Sequence, residues 1–294
     1  MNMKYKKSLG ERSFDIFNAL FMIAILIVTL YPCYYVLVAS VSDPTQIYNG
    51  GGLVLYPKGF AFYSYDEVLK SNQLWSGYLN TILYVLFGSL LSVSLTISAA
   101  FALTRRGLPA RNTLMMAILF TMYFSGGLIP TYLVVKGLHL LNTPLAMILP
   151  GAVSTYNLII AISYFKGLPY ELEEAAKIDG ANDYYILFKI MMPLAKPIIA
   201  VITLYYAVSL WNNYFTALIY LDNRALFPLQ LVLREILIQN DTASVSASQS
   251  GAVQAYADNV KYATIVVSTI PILCVYPFIQ RYFVKGVMIG AVKE

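Results

Sequence analysis

Between Lys166 and Pro197 the chain carries a run rich in acidic and helix-punctuating residues, Leu168-Pro169-Tyr170-Glu171-Leu172-Glu173-Glu174-Ala175-Ala176-Lys177-Ile178-Asp179-Gly180-Ala181-Asn182. Pro169 fits the first position of a helix, Glu171, Glu173 and Glu174 complement its positive end, and Gly180 fits the left-handed residue just past its finish. Asn182 then caps a second helix with Asp183 in its first turn and Ile186, Leu187, Ile190 and Met191 at helical spacing, until Pro193 and Pro197 break it. The chemistry open to such a run is recognition: an amphipathic hairpin lying on a bilayer, or a helix that fits a cleft in another protein. The small pair Ala175 and Ala176 suits the close fit. Bond-breaking chemistry is not in evidence, because the chain has no G-x-x-x-x-G-K-[ST], G-x-S-x-G or H-E-x-x-H. One histidine, His139, and two cysteines, Cys33 and Cys274, form no ligand cluster, so no metal site is predicted. The cysteines, each inside an apolar run, read as buried small hydrophobes.

The elements that must hold this loop are membrane helices. Of 294 residues, 59% are hydrophobic and 12% charged, against roughly half and about a quarter in soluble domains. Six stretches approach or exceed the roughly 20 apolar residues needed to cross a bilayer: about Phe17 to Ala39, Leu79 to Leu103, Thr113 to Val135, Leu145 to Phe165, Ile198 to Leu221 and Tyr262 to Ile279. None holds Asp, Glu, Lys or Arg. The first is too long for the apolar core of a signal peptide and is read as a retained span. Gly126, Gly127 and Pro130 in the third, and Pro150-Gly151 in the fourth, are bending or packing positions.

With six spans, fourteen of the 20 Lys and Arg fall on the side of the amino terminus, against Lys58, Lys70, Lys136, Arg224, Arg234 and Lys261 on the other. The positive-inside rule therefore predicts both termini in the cytoplasm. The fold class expected is an all-α integral membrane protein over residues 1–294, with an inner loop at 166–197, long outer segments at 40–78 and 222–260, and a cytoplasmic tail at 281–294. The outer segments read as solvated linkers or as room for a partner outside. The net charge of +5 forms no basic stripe with interleaved aromatics, which argues against nucleic acid. A transporter or channel working alone would need ionisable groups inside the membrane or an internal repeat, and a membrane enzyme would need a catalytic constellation; neither is found.

Glu174-Ala175-Ala176, then Asp179-Gly180-Ala181, then Ile190-Met191-Met192-Pro193 resemble the EAA loop of ATP-binding-cassette importer permeases. Trp211-Asn212-Asn213 and the ending Gly286-Val287-Met288-Ile289-Gly290-Ala291-Val292-Lys293 are similar to MalG-like carbohydrate permeases. Gly126-Gly127-Leu128-Ile129-Pro130-Thr131 and Pro228-Leu229-Gln230 resemble the LplC/YtcP-like subgroup, associated with polysaccharide-derived oligosaccharides. The resemblance implies a type I importer fold and a multi-pass place in the bacterial plasma membrane. It implies as partners a second, homologous permease subunit, two cytoplasmic ATPase subunits that bind ATP and Mg, and an extracellular solute-binding protein. It gives the chain no catalytic residue and no cofactor of its own. Glu174, Ala175, Ala176, Asp179, Gly180 and Ala181 would couple to the ATPase, with Glu174 the first choice for a polar contact and Asp179 the second. Gly290 and Lys293 of the tail would also touch it.

Trp211, Asn212, Asn213 and Tyr214 lie about fifteen residues into the fifth span. Side-chain amides suit sugar hydroxyls and Trp211 or Tyr214 could stack on a pyranose face, so these residues are expected either to line the substrate path or to join helices within the membrane.

Overall fold

A computed structural model of the chain describes residues 8–50, 53–246 and 251–291, with side chains described outside 239–253 and 275–291. In chain order the helices are α1 (Leu9–Ser40), α2 (Pro44–Asn49), α3 (Tyr63–Lys70), α4 (Asn72–Thr104), α5 (Arg111–Tyr123), α6 (Leu128–Gly137), α7 (Leu145–Ile148), α8 (Thr155–Lys166), α9 (Glu171–Ile178), α10 (Asp183–Tyr185), a π-helical turn (Ile186–Met191), α11 (Met192–Leu194), α12 (Lys196–Trp211), α13 (Phe215–Tyr220), a 3₁₀ turn (Arg224–Leu226), α14 (Leu229–Ser246) and α15 (Gly251–Ala291). No strand occurs among the described residues. The fold is all-helical.

Among the described residues two helices, α1 and α4, are long and apolar enough to cross a membrane unbroken. Two further candidates are bent pairs: α5 with α6 at 115°, and Asp183–Leu194 with α12 at 84°. The third apolar stretch is thus not one straight helix. Gly127, at φ 88° and ψ 174°, takes a backbone conformation open almost only to glycine, and the chain turns there. The fourth is split as well, with α7 ending before Pro150-Gly151 and α8 beginning at Thr155.

Contacts divide the chain into two compact units, Met1–Lys70 with Ile236–Ile270, and Ser71–Glu235 with Pro271–Glu294. In the first, α1 opens on a reciprocal cap: the Ser8 amide donates to Glu11 Oε2 at 2.7 Å and the Glu11 amide to Ser8 Oγ at 3.4 Å. Its C-terminal end is pinned by Asn259, whose Nδ2 donates to the Ala39 and Ser42 carbonyls at 2.7 and 3.2 Å while Ser64 Oγ donates to its Oδ1. Cys33 and Cys274, expected inside, are exposed. A side chain within an apolar span is shielded by lipid as well as by protein, and sequence does not separate the two.

In the second unit α4 lies against α8 and α12. Thr96 Oγ1 and the Tyr206 hydroxyl share a hydrogen bond of 2.7 Å, and the Ser154 amide donates to that hydroxyl at 2.9 Å. Gly77 lets Leu229 approach: a Cβ there would stand 3.2 Å from Leu229 Cα. A core of Ile97, Phe101, Ile162, Phe165, Ile186, Ile202 and Tyr206 fills the unit, and Ala176 of α9 belongs to it. Helix α9 is therefore packed onto the long helices that carry it.

Candidate functional site

The loop predicted from Pro169, the three glutamates and Gly180 is built nearly as read. Helix α9 starts at Glu171 with Tyr170 at its N-cap, so Pro169 lies just outside the helix and not at its first position. Glu171, Glu173 and Glu174 occupy the first turn, where exposed amides favour negative charge. At the other end Gly180 has φ 80°. Its amide donates to the Lys177 carbonyl at 3.0 Å, and the Ala181 amide reaches back to the Ala176 carbonyl at 2.9 Å. That double closure requires the left-handed residue that Gly180 supplies. Asn182 Oδ1 then accepts from the Tyr185 amide at 2.8 Å, capping α10 as expected.

Beyond Asn182 the structure departs from a simple second helix. Residues Ile186–Met191 wind as a π-helix. Pro193 has no N–H and its ring crowds the carbonyl four residues back, so a wider turn before it relieves the conflict. The main bend falls at Ala195, and Pro197 sits in the first turn of α12, where its missing N–H costs nothing. Pro193 and Pro197 therefore reshape the path where sequence led us to expect a helix stop. Ile186, Leu187 and Met191 are buried and Ile190 partly so.

Helix α9 has two unlike faces. One turns inward with Glu173 and Ala176, at 2% and 7% exposed. Glu173 accepts from Arg105, at the end of α4, through Oε2, and from Lys177 Nζ through Oε1 at 2.7 Å. Arg105 lies 4.1 Å over the Phe101 ring and its Nε donates to the Phe101 carbonyl at 3.2 Å. Burial pulls the Arg105 guanidinium below its usual pKa, and the Asp183 carboxylate opposes the shift; an arginine stays charged regardless. Arg106 lies 3.9 Å over the Tyr170 ring. Helix α9 is thus tied to the end of the second apolar span by a buried ion pair and one cation–π contact, Arg106 over Tyr170.

The other face is bare. Glu171, Glu174, Ala175 and Ile178, at helical spacing, are exposed, as are Asp179 and Gly180; Ala181 is half-buried. Ile178 is 86% and Tyr184 76% exposed. Apolar side chains held out beside acids, on a helix fixed from behind, form a surface able to dock in a protein cleft. Sequence reasoning named Glu174 and missed Glu173, Arg105 and Ile178. The signal for Glu173 was its spacing, four residues before Lys177 and three before Ala176, which puts it on the face that carries Ala176.

At the second site the fifth apolar stretch is interrupted. Helix α12 ends at Trp211, about 24 Å along at 1.5 Å per residue from Lys196, and α13 resumes at Phe215. Asn212 Nδ2 donates to the Val208 carbonyl at 3.0 Å, while Asn213 Oδ1 accepts from the Thr216 amide at 3.1 Å. Each amide closes one end of the break, and among the described residues neither bonds a neighbouring helix. Asn212 and Tyr214 are exposed, Trp211 and Asn213 half-buried; Arg234 stands 5.8 Å over the Tyr214 ring. Asn212 Oδ1 and Asn213 Nδ2 have no partner among the described residues. Of the tail residues, Gly290 lies in the helical backbone of α15, and Lys293 is outside the described residues.

Residues 74–289 match the family described as the binding-protein-dependent transport system inner membrane component. The chain is 39% identical over 282 residues to Protein LplC of Bacillus subtilis (strain 168), covering 96% of this chain and 95% of that one. It is 40% identical over 284 residues to the polygalacturonan/rhamnogalacturonan transport system permease protein YtcP of the same organism, covering 96% and 99%. Among solved structures, a chain of a bacterial ABC transporter involved in the import of the acidic polysaccharide alginate superposes with a TM-score of 0.84 at 34% identity, covering 95% of this chain and 100% of that one.

Proposed function

Because the chain belongs to the family of binding-protein-dependent transport system inner membrane components, we propose that it is one permease subunit of an ABC importer for an oligosaccharide, one derived from a polysaccharide. The observation that carries this is the two-faced helix α9, anchored by Glu173 and Ala176 and bare at Glu174, Ala175 and Ile178. The chain crosses the membrane six times with both termini inside and pairs with a second, homologous permease to enclose the path. Two cytoplasmic ATPases bind ATP and Mg and hydrolyse the nucleotide, which this chain does not do. A solute-binding protein outside delivers the sugar.

In this mechanism the bare face of α9 sits in a cleft of one ATPase, with Glu174 making the polar contact and Asp179 and Gly180 setting the end of the helix. When the ATPases close, the push on α9 passes through Glu173 to Arg105 and through Ala176 to the core around Phe101 and Ile186. Tail residues Gly290 and Lys293 add a second contact. Along the path, Asn212 and Asn213 offer hydrogen bonds to sugar hydroxyls at the break in the fifth span, with Trp211 and Tyr214 beside them. Broken helices place unsatisfied polar groups where hydrocarbon would otherwise forbid them. Relatives that handle acidic polysaccharides support that substrate class.

The orientation is tested by single cysteines: those at Arg106 and Lys177 should be shielded from an impermeant thiol reagent in whole cells, and one at Thr242 labelled. Labelling of Lys177→Cys from outside would overturn the coupling role.

A further inference from the structure

Two cavities of the second unit meet. The first, about 660 Å³, is lined by Phe101, Arg105, Arg106, Tyr170, Lys177 and Leu187, with Glu173 and Asp183 also at its wall. The second, about 560 Å³, runs along α4 and α12 between Val93, Ile97, Met192 and Ile199, and reaches Ser89, whose buried hydroxyl has no partner among the described residues. Ser98, Leu187 and Phe188 line both. One chamber is basic and lies beside the loop, the other is apolar and lies beside a membrane span, and they share a wall.

We propose that this continuous groove holds one anionic phospholipid, its phosphate beside Arg106 and an acyl chain along α4. Its three cations, Arg105, Arg106 and Lys177, outnumber its two carboxylates, Glu173 and Asp183, by one, so the charge balance favours an anion. Glu173 is spent on Arg105 and Lys177, whereas Arg106 has no ion pair among the described residues and is 3.9 Å from a neutral ring. A free phosphate would account for the basic chamber alone; the adjoining apolar one accounts for a chain. From Arg105 back to Ser94 is eleven residues of α4, about 16 Å at 1.5 Å per residue, close to the roughly 15 Å depth of one leaflet of a core about 30 Å thick. Basic pockets between helices at a membrane surface are a known setting for lipid headgroups. The lipid would brace Arg106 and Phe188, on two sides of the loop that carries α9.

The test uses the full-length chain in nanodiscs of equal phosphatidylglycerol and phosphatidylcholine, with retained lipids counted by native mass spectrometry. Wild type should retain phosphatidylglycerol in preference. Arg106→Gln should cut that preference about fivefold, the worth of one basic residue near an anionic surface, and inorganic phosphate should not displace the lipid. Equal retention of the two lipids by wild type, an unchanged preference in Arg106→Gln, or displacement by phosphate would each overturn the proposal. A photocrosslinker at Ser94, used in cells, gives a separate reading that does not depend on a substituted arginine. A lipid adduct is expected; an adduct with a second protein chain would mean that a partner helix fills the groove.

Discussion

Replacing Glu173 should damage the chain itself, and replacing Glu174 should not. Glu173 is 3% exposed in its side chain, Arg105 16% and Lys177 48%. The Lys177 pair is half-solvated and contributes no more than about 1 kcal/mol. Arg105 is the costly partner, because removing one member of a buried pair leaves an uncompensated charge, at about 3–5 kcal/mol when burial is complete. Here Arg105 keeps the Phe101 ring and carbonyl and some solvent, which brings the expected loss for Glu173→Ala to about 2–4 kcal/mol. Glu173→Gln keeps the volume and a neutral acceptor and should lose less. Glu174→Ala removes an exposed charge near a helix start, worth about 0.3–1 kcal/mol. Unfolding of the isolated chain by SDS in mixed micelles would measure each, with Arg105→Gln completing a double-mutant cycle. A coupling of about 2 kcal/mol between Arg105 and Glu173 is expected from their contact. Equal losses for Glu173→Ala and Glu174→Ala, or strict additivity in the cycle, would refute the anchor.

At Gly180, valine has open space but the wrong backbone, since φ is 80° and nothing lies within 4 Å of a Cβ there; the strain should cost about 1–3 kcal/mol, be eased in Gly180→Asn, and show as faster proteolysis of the 166–197 loop. Asn213→Ala should lose about 1 kcal/mol with the cap on α13 and weaken sugar transport, whereas Asn213→Asp should keep the cap and separate the two effects. Asp43 caps α2, accepting from the Thr45 and Gln46 amides at 2.9 and 3.1 Å. The Thr45 hydroxyl first, then the Gln46 amide, hold its carboxyl below the ordinary 3.8. A lowered carboxyl stabilises above its unfolded value and loses that as pH falls through the folded one, so amide exchange in Pro44–Asn49 should quicken only below about pH 4 and be fast at all pH in Asp43→Ala.

Local punctuation was legible because it is chemical. Gly180, Asn182 and the acids of α9 sit where turn and dipole rules put them, and the apolar runs lie in helices. The bends were only half legible: Gly127 and Pro193 announced irregularity, yet whether a helix kinks, winds wider or stops depends on what packs beside it. The fifth run looked continuous through Trp211-Asn212-Asn213 because hydropathy does not register two amides that close helix ends. Glu173 was hidden for a different reason. Three glutamates in one turn are equivalent to the helix dipole, and only the position of Arg105, 68 residues away, decides which of them is buried. The cysteines were misread because apolar surroundings in sequence say nothing of whether lipid or protein supplies them.

The proposed coupling requires the bare face of α9 to meet an ATPase. A photocrosslinker placed at Ile178, 86% exposed in the chain alone, tests this in intact cells, and Glu174→Ala in the same background should weaken the contact by about 2–5 kcal/mol, as expected for one partner of a desolvated polar pair. An adduct with a cytoplasmic ATPase subunit that fades when Glu174 is replaced is expected. An adduct with lipid alone, unaffected by Glu174, would contradict it.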